Sequence, residues 1–362
     1  MQAEDRIKKL QDRMLENGVD IVAIGPTSNM RYLLGFSPYA DERLTVLLIH
    51  TGEVNMIVPS LNVEETAAHT TVNIIPWKDS DGPRKALKQA RANCGEPGTL
   101  AVDNSMRADS LLYLLEELNP GRIIPVDGLI SPLRLIKTED EISLLASAAA
   151  QADKAMQAAI DLCNPGVTEK EVAWMAESSF IKNGAEEVCF TLVASGPNGA
   201  HPHHRSQNCK LQKGDTIIID IGASFQGYKS DITRVVHLGE PDSEVLRVYD
   251  AVKKANQNAI SFVKPGVTAD KIDFMARSVL EEAGYGEAFV HRTGHGIGLD
   301  VHESPWIMAG DQTTLREGMA FSIEPGVYLS GKFGVRIEDI VVVTKTGVRN
   351  LTGFDNSLVI KD

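Results

Sequence analysis

The first third of the chain alternates short apolar runs with segments of helical periodicity. It opens with a helix-like stretch at about residues 3–17, and the apolar runs DIVAIG, LTVLLIH and VNMIVP follow. Their β-branched residues and their Gly, Asn and Pro boundaries are typical of strands. Further on, LAVD and RIIPVD are strand-like, and SLLYLLEEL between them is helical. The pattern therefore predicts a mixed α/β domain.

The pattern changes abruptly at SPLRLIKTEDEISLLASAAAQADKAMQAAIDL. This segment begins with Pro132 and continues as a long Ala-rich helix whose first turn is acidic, as the helix dipole favours. We place a domain boundary near residue 135, which gives a first domain of residues 1–134 and a second of residues 135–362.

An internal repeat occupies the second domain, where thirteen residues recur without gaps at an offset of 100. The first copies are Lys154, Ala155, Gln157, Ala159, Ile160, Pro165, Gly166, Val167, Thr168, Met175, Ala176, Ser178 and Gly184. Both copies have the pattern of a helix, a Pro-Gly turn and a second helix with a Thr at its N-cap, and Thr168 forms a capping box with Glu171. We predict a duplicated α/β unit whose pseudo-twofold axis creates a cleft between its halves.

Each copy is followed by two apolar strands that carry one acid each and are joined by a Gly-containing turn. Asp220 and Asp231 lie 11 residues apart after the first copy, and Glu324 and Glu338 lie 14 apart after the second. A buried carboxylate must be protonated or find a counter-charge, and four of them together repel one another. A cation is therefore expected among them.

Two sources of that cation are open. Lys229, Arg234 and Arg336 lie in or beside the same strands and could form ordinary salt bridges. Metal ions are favoured, because His295 precedes the second hairpin and two divalent cations would balance four carboxylates and a neutral imidazole. Oxygen ligands with a single His suit Mn²⁺ or Co²⁺ and tolerate Zn²⁺. Two bridged ions lower the pKa of a shared water and polarise a carbonyl, so metal-assisted hydrolysis is indicated.

Other motifs speak against competing chemistries. The series Gly294, Gly296 and Gly298 has the spacing G-x-G-x-G and is followed by Asp300, so it does not match a dinucleotide-binding loop. Neither a G-x-S-x-G nucleophile elbow nor a Walker loop occurs in the sequence, which disfavours a serine hydrolase and an NTPase. The cluster HPHH at residues 201–204 is a separate metal site, a polar loop, or the source of a transition-state donor if it faces the cleft.

Composition narrows the class of protein. At 362 residues the chain exceeds the usual size of a single core, and its formal charge of −13 opposes binding to nucleic acid. We see neither a secretory signal nor an apolar stretch of about 20 residues that would suit a membrane helix. The cysteines have no C-x-x-C spacing, so we expect no disulfide framework and a cytoplasmic protein. These cysteines are Cys94, Cys163, Cys189 and Cys209.

The contexts of the candidate ligands resemble a known family. They read IDIGASFQGYKSDITR, HRTGHGIGLDVHE, SIEPGVY and VRIEDIV, and they look like the pita-bread metallopeptidases of the Xaa-Pro dipeptidase (prolidase) and aminopeptidase P branch. SNMRYLLGF resembles the N-terminal domain of that branch, and LRLIKTEDEI resembles its domain junction. The resemblance covers the whole chain. It implies an α/β (α+β) protein with a mixed-sheet creatinase-like domain followed by a pita-bread domain of pseudo-twofold halves.

The resemblance also implies a dinuclear metal site. Asp220 and Asp231 would hold one divalent ion, and His295 and Glu324 would hold the other. Asp231 and Glu338 would bridge the two ions, and Glu338 would also touch the first. Mn²⁺ is the expected metal, with Co²⁺ or Zn²⁺ as alternatives.

Catalytic roles follow from the same resemblance. Glu324 resembles the family's general base, and His203, in SGPNGAHPH, resembles the histidine that helps to bind substrate and steady the intermediate. His302 resembles the histidine that donates to the scissile carbonyl, where negative charge develops. His291 and Arg336 match further positions in the cleft.

Two features lie at the edge of the resemblance. At His201 the family more often has a hydrophobic residue before Pro-His. The loop YADERLT, with Asp41 and Arg43, is a candidate for the rim of the cleft.

The implied function is hydrolysis of Xaa-Pro peptide bonds, with dipeptides as the preferred substrates. An aminopeptidase P that acts on longer peptides is the alternative. Some proteins of this fold are inactive binding modules that have lost ligands, and the complete ligand set here argues against that class. The expected partners are an Xaa-Pro peptide and a second copy of the chain in a homodimer.

Overall fold

The structure, a computed structural model, describes residues 3–91 and 97–362. Cys94 lies outside the described residues, and Cys163, Cys189 and Cys209 are free thiols. The chain divides into two compact units, Met1–Arg134 and Leu135–Asp362. Within the described ranges, no helix is both long and apolar enough to cross a bilayer.

The first unit is a mixed sheet flanked by helices. Its helices are α1 (Ala3–Glu16), α2 (Ser28–Leu34), α3 (Val63–His69), α4 (Arg84–Arg91), α5 (Ala108–Leu118) and α6 (Asp127–Arg134). Its strands are β1 (Ile21–Ile24), β2 (Val46–His50), β3 (Val54–Pro59), β4 (Asn73–Trp77), β5 (Thr99–Val102) and β6 (Arg122–Pro125). The strand order is β4-β3-β2-β1-β5-β6. Strand β1 pairs antiparallel with β2 and parallel with β5, which confirms the mixed sheet predicted from the apolar runs.

The second unit begins with two helices that pack on a sheet. The elements of this first half are α7 (Glu139–Leu162), α8 (Glu169–Lys182), β7 (Glu187–Ser195), β8 (Thr216–Phe225), β9 (Tyr228–Lys229) and β10 (Ile232–Leu238). Small side chains of α7, including Ala148, Ala152 and Ala155, are buried in one core with Ile217 and Ile219 of β8. The 3–4-residue spacing of these alanines forms the helical face that packs on the sheet.

The same arrangement follows in the second half. Its elements are α9 (Ser243–Phe262), α10 (Ala269–Glu282), β11 (Gly294–Gly296), β12 (Glu303–Ile307), β13 (Ala320–Ile323), β14 (Gly326–Leu329), β15 (Phe333–Arg336), β16 (Asp339–Val343) and β17 (Val348–Asn350). The last strand, β18 (Val359–Lys361), returns to the first half and pairs with β10. The sheets of the two halves have the orders β18-β10-β8-β7 and β12-β11-β13-β16-β17, with β9 paired to β8 and β14 to β15.

The repeat in the sequence is a repeat in the structure. Helices α8 and α10 each contain 14 residues and start 100 positions apart. The turns before them contain Gly166 and Gly266, both in the left-handed region with φ of 93° and 87°, where a side chain would be strained. Their amides donate to the carbonyls of Leu211 and Leu315, respectively. The Pro-Gly turn therefore docks each second helix against its own half.

Capping explains where the structure departs from the predicted elements. Helix α7 starts at Glu139, not at Pro132, because a capping box between Thr138 and Glu141 starts a new helix after α6 has ended. The predicted box of Thr168 with Glu171 is present in α8. At the start of α10, however, the Thr268 hydroxyl bonds the side chain of Asp270 instead of a backbone amide.

Arg234 joins the two halves from the inside. Its side chain is 1% exposed and forms an ion pair of 2.8 Å with Asp339. Its remaining donors reach the carbonyl oxygens of Thr233, Glu338, Phe354 and Asp355. A planar guanidinium with five donors suits this arrangement in a way that Lys could not. Strands β10 and β16 and the C-terminal segment are thereby held together.

We predict that Arg234→Met lowers the free energy of unfolding by about 3–5 kcal/mol, because it leaves Asp339 as an uncompensated buried charge. Denaturant unfolding at matched metal content measures this change. The matched control is Lys332→Met, which removes a 2.8 Å surface pair with Glu244 and should cost less than about 1 kcal/mol. Equal losses in the two variants would contradict the role given to Arg234.

Candidate metal centre and cleft

A cavity of about 460 Å³ lies in the second unit, among the strands that carry the candidate residues. The nine side chains singled out from the sequence all line it: His203, Asp220, Asp231, His291, His295, His302, Glu324, Arg336 and Glu338. His201 is exposed and is not among the lining residues. The fold thus brings the candidates of both halves into one site.

Each half contributes two acids from the ends or the interior of core strands. Asp220 lies within β8 and Asp231 immediately before β10, whereas Glu324 follows β13 and Glu338 precedes β16. The second pair is separated by a hairpin, β14–β15, that the sequence pattern did not resolve. The corresponding positions of these strands explain why the acids converge.

The two halves meet at Thr233 and Glu338. The Glu338 amide donates to the Thr233 carbonyl at 3.2 Å, and the Thr233 hydroxyl donates to Glu338 Oε2 at 2.9 Å. Both residues are fully or almost fully buried. A backbone contact and a side-chain contact therefore orient the Glu338 carboxylate at the junction of β10 and β16.

The glycines around His295 allow close packing of strands. A Cβ at Gly294 would overlap the carbonyl of Ser322, and a Cβ at Gly296 would overlap the carbonyl of Ser304. This is the physical reason for the G-x-G pattern that superficially resembled a nucleotide loop. His295 is consequently held within β11, between β12 and β13.

The ring of His295 is oriented by its own strand. Its Nδ1 lies 3.1 Å from the carbonyl oxygen of Gly296, so Nδ1 carries the proton that this acceptor requires. The Nε2 atom faces carboxylates, 3.2 Å from Glu324 Oε1 and 3.7 Å from Asp231 Oδ2. When the ring is neutral, this tautomer presents a lone pair at Nε2, as a metal ligand must, whereas a protonated ring donates from Nε2 to Glu324.

The carboxylates are electrostatically crowded. Burial raises the pKa of Asp231 and of Glu338 well above the usual values, and the charges of neighbouring carboxylates raise both further. Burial also raises the pKa of Asp220. Burial also tends to raise the pKa of Glu324, but the hydrogen bond and the charge of a protonated His295 outweigh burial and lower this pKa to about 2. The site thus needs positive charge to hold its acids ionised.

Protein cations supply only part of that charge. Arg336 pairs with Asp220 at 2.5 Å, whereas Lys229 pairs with Glu187 and Arg234 with Asp339. Of the three basic residues considered from the sequence, Arg336 alone forms an ion pair with the carboxylate of a candidate ligand. Ordinary salt bridges do not account for the rest of the cluster.

The donor set fits a divalent cation. One ligand atom each from Asp231, His295 and Glu338 lies within 4.8 Å of the others, and all three residues are buried. Asp220 Oδ1 is also buried and has no hydrogen-bond partner among the described residues. Carboxylate oxygens and one imidazole are ligands that Mn²⁺, Co²⁺ and Zn²⁺ accept.

A hydrogen-bonded chain connects the acids to His291. Arg336 Nη1 donates to the Tyr328 hydroxyl at 2.7 Å, and that hydroxyl lies 2.8 Å from His291 Nε2. His291 Nδ1 lies 2.7 Å from the Arg292 carbonyl, so Nδ1 is protonated and Nε2 accepts from Tyr328. Burial lowers the pKa of His291 and raises that of Tyr328 to about 12, so both groups are neutral.

Two further histidines border the cavity. The His302 ring lies 4.2 Å from that of His295, edge to face, with one side open to solvent. Partial burial, together with the neighbouring His295 and Arg292, lowers the pKa of His302 to about 4. Near neutral pH this ring is uncharged and retains one N–H. His203 borders the cavity next to Pro202, on the segment that follows β7.

Some residues of the site gave no signal in the sequence. Tyr328 and Thr233 bond to residues that are distant in the sequence, at separations of 37 and 105 positions, respectively. In a strand, aromatic and hydroxyl residues normally indicate only packing. Phe190, Leu192 and Val301 supply an apolar wall to the cavity. In the first unit, Asp41 and Arg43 form a 3.1 Å pair, and their part in the rim stays a prediction.

Buried carboxylates grouped with an imidazole, in a cleft between duplicated α/β halves, define a candidate metallohydrolase. Two family models match the chain: residues 143–345 match metallopeptidase family M24, and residues 6–136 match the creatinase/prolidase N-terminal domain. The chain therefore belongs to metallopeptidase family M24, whose membership implies the use of a divalent metal. The predicted fold, a creatinase-like domain followed by a pita-bread domain, is confirmed.

Several dipeptidases are similar to this chain over almost its full length. A probable dipeptidase PepE of Mycobacterium tuberculosis is 39% identical, covering 95% of this chain and 92% of its own. An Xaa-Pro dipeptidase of Pyrococcus horikoshii is 37% identical, covering 98% of this chain and 99% of its own. The crystal structure of a prolidase from Thermococcus sibiricus superposes with a TM-score of 0.95, at 39% identity over 99% of both chains.

We predict that His291 is the neutral Nδ1–H tautomer and that Tyr328→Phe removes the hydrogen bond at its Nε2. Long-range ¹H–¹⁵N correlations of histidine-labelled protein report both states. The variant should also lose about 1–3 kcal/mol in the free energy of unfolding, since it leaves buried polar atoms unpaired. Tyr39→Phe is the control, because Tyr39 is 84% exposed. A loss no greater than that of the control would rule out the chain described here.

Proposed function

We propose that the protein is a metal-dependent Xaa-Pro dipeptidase. The observation that carries the proposal is the convergence of the acids and His295 on one cavity, in a chain that is similar to an Xaa-Pro dipeptidase over 98% of its length. The proposal includes a homodimer, and it keeps the cytoplasmic location expected from the sequence.

Two divalent ions, with Mn²⁺ preferred over Co²⁺ or Zn²⁺, belong to the proposal. The proposed ligands are Asp220, Asp231, His295, Glu324 and Glu338, as the resemblance implies. The burial of Asp220, Asp231 and Glu338 and the Asp220 oxygen that has no hydrogen-bond partner among the described residues support this assignment. When bound, such ions supply a nucleophile at neutral pH and polarise the substrate carbonyl.

Glu324 is the proposed general base. It accepts the proton of the attacking water and returns it to the proline nitrogen as the peptide bond breaks. Two contacts hold its carboxylate, since Ser322 Oγ donates to Oε1 at 3.1 Å and His295 Nε2 lies 3.2 Å from the same oxygen. The Glu324 amide donates to the Thr293 carbonyl and fixes the backbone.

His302 and His203 are the proposed donors to the scissile carbonyl and the intermediate. A neutral ring with one N–H, as at His302, stabilises negative charge as it develops and brings no charge into the ground state. Arg336 holds Asp220, and through Tyr328 it also orients His291. This chain of contacts supports a positional role for His291 and Arg336.

The substrate bond itself suits such a site. An Xaa-Pro bond is a tertiary amide without an N–H, so it cannot pair along a strand as ordinary peptides do. Phe190, Leu192 and Val301 add apolar surface to the cavity that the charged residues line. A short peptide with a compact ring would fill this space without requiring a backbone donor.

We predict that Asp231→Asn abolishes metal binding and hydrolysis but stabilises the metal-free protein. The pKa of Asp231 is raised in the folded state, so ionisation costs stability that increases as pH rises above the unfolded value near 4. In chelator, the variant should therefore unfold at higher denaturant than wild type, by a margin larger at pH 8 than at pH 5. Metal analysis and denaturant unfolding measure the two effects.

Glu187→Gln is the matched control for Asp231→Asn. Glu187 is an exposed acid at the start of β7 whose partner is Lys229, and its loss should alter neither quantity. Full metal binding by Asp231→Asn would refute the ligand assignment. Wild type that binds no divalent ion and stays inactive with added Mn²⁺ would point to a binding module.

We predict that Mn²⁺-loaded protein cleaves Ala-Pro much faster than Ala-Pro-Ala. A dipeptidase must hold the C-terminal carboxylate close to the reacting bond, so an added residue removes or displaces that group. Initial rates with the two peptides give the ratio of kcat/KM. Rapid cleavage of the tripeptide would favour an aminopeptidase P instead.

A further inference from the structure

Glu169 is a buried acid that the mechanism above does not use. It is the first residue of α8, its side chain is fully buried, and it is not among the residues that line the cavity. Helix α8 is capped without it, by Thr168 and Glu171. A desolvated carboxylate at this position therefore requires another explanation.

Both oxygens of Glu169 are occupied by one segment of the chain, residues 195–207. Oε1 accepts from the amide and the hydroxyl of Ser195, at 2.8 and 2.9 Å, and from Asn198 Nδ2 at 2.9 Å. Oε2 accepts from His204 Nε2 and from the Gln207 amide, both at 2.9 Å. The two ends of the segment are thus fastened to a single carboxylate.

These bonds keep Glu169 charged. Burial alone would raise its pKa, but the donors on Asn198, His204, Ser195 and Gln207 lower it below the usual value. A hydrogen bond from a neutral donor is stronger when the acceptor is ionised than when the acceptor is neutral. The anchor is therefore a buried, fully satisfied polar network of the kind that selects one conformation of a loop.

The anchored segment carries His203 to the cavity. On its inner side Gly199 packs against the backbone of Gly334, where a Cβ would lie 3.1 Å from the Gly334 nitrogen. The Pro202 carbonyl is 3.4 Å from Arg336 Nη1. With both ends held by Glu169 and the middle against β15, the segment leaves His203 at the cavity wall.

The second half of the repeat shows that the helix start does not need this acid. Ala269 occupies the place of Glu169 and is fully buried. Helix α10 has the same length as α8 and the same preceding Pro-Gly turn. The acid is therefore specific to the half whose loop bears His203.

We propose that Glu169 is a positioning residue, whose carboxylate fastens residues 195–207 so that His203 is presented to the substrate carbonyl. The role of His203 in this statement rests on the proposed function. The anchoring itself rests on the five hydrogen bonds, and a measurement without substrate can test it.

Glu169→Gln is the main test. The side-chain amide of Gln has an NH₂ donor where Glu169 has an acceptor oxygen, and this donor would face other donors. Hydrogen exchange of the backbone amides in 195–207 should therefore be faster in the metal-loaded variant than in metal-loaded wild type. Metal content should stay that of wild type. We expect kcat/KM for Ala-Pro to fall about 10- to 100-fold, mainly in kcat, because His203 acts on the transition state. Glu171→Gln is the matched control, since this exposed acid of the same helical turn contacts Thr168 and not the segment.

A double-mutant cycle separates positioning from general stability. If Glu169 acts through His203, then Glu169→Gln should lower kcat/KM by no more than about 3-fold in a His203→Ala background. The proposal would be overturned if the fold-losses of kcat/KM in the two single variants multiply in the double variant. So would quickened exchange with unchanged kcat/KM in the single variant.

Asn198→Ala keeps the proposal testable if Glu169→Gln does not fold. It removes one donor and leaves the carboxylate with its other partners, so we expect a smaller loss of kcat/KM, about 3- to 10-fold, with the same dependence on His203. An unchanged kcat/KM would overturn the proposal. Wild type inactive on every Xaa-Pro peptide would overturn the proposed function and the positioning role with it, whereas active wild type with additive variants overturns the positioning role alone.

Discussion

Mutual repulsion among buried carboxylates is the constraint on which the rest of the second unit depends. Asp231 and Glu338 are almost fully buried, and burial together with neighbouring carboxylates raises the pKa of both groups. The contacts around them oppose relaxation: Thr233 orients Glu338, and Arg234 fastens the strands behind it. In the absence of a cation, ionisation of these acids therefore lowers the stability of the folded chain. The same unfavourable charges favour the binding of a cation.

The neutral groups of the site are ordered by the same logic. His295 and His291 each lie next to a backbone carbonyl at Nδ1, which settles the tautomer and directs Nε2 inward. The group that faces Nε2 then determines which role the histidine suits. At His295 it is a pair of carboxylates, which suits a ligand, and at His291 it is the Tyr328 hydroxyl, which suits a fixed element of the wall.

Much of this arrangement was predictable because strand spacing and charge leave few alternatives. The pattern of four acids on apolar strands, repeated in two halves, together with His295, predicted one shared site, whereas the roles of His203, His291, His302 and Arg336 came from the resemblance to the pita-bread metallopeptidases. All nine residues line one cavity. Other features depend on contacts that sequence periodicity does not encode. The start of α7 was decided by the Thr138 cap, and the hairpin β14–β15 lies in a segment that the sequence pattern indicated only as a Gly-containing turn between two strands. The hydroxyl of Tyr328 and the carboxylate of Glu169 acquire their partners only in the folded chain.

The repeat also has an evolutionary consequence. The halves keep the same residues in the Pro-Gly turns and along the helices, and they differ at positions that hold the loops. Glu169 of the first half corresponds to Ala269, while in the second half Asp273 and Arg277 bond to Thr293 and to the His291 carbonyl. Duplication of an ancestral gene would thus have supplied two copies of a scaffold, and selection could then modify each loop without disturbing the other.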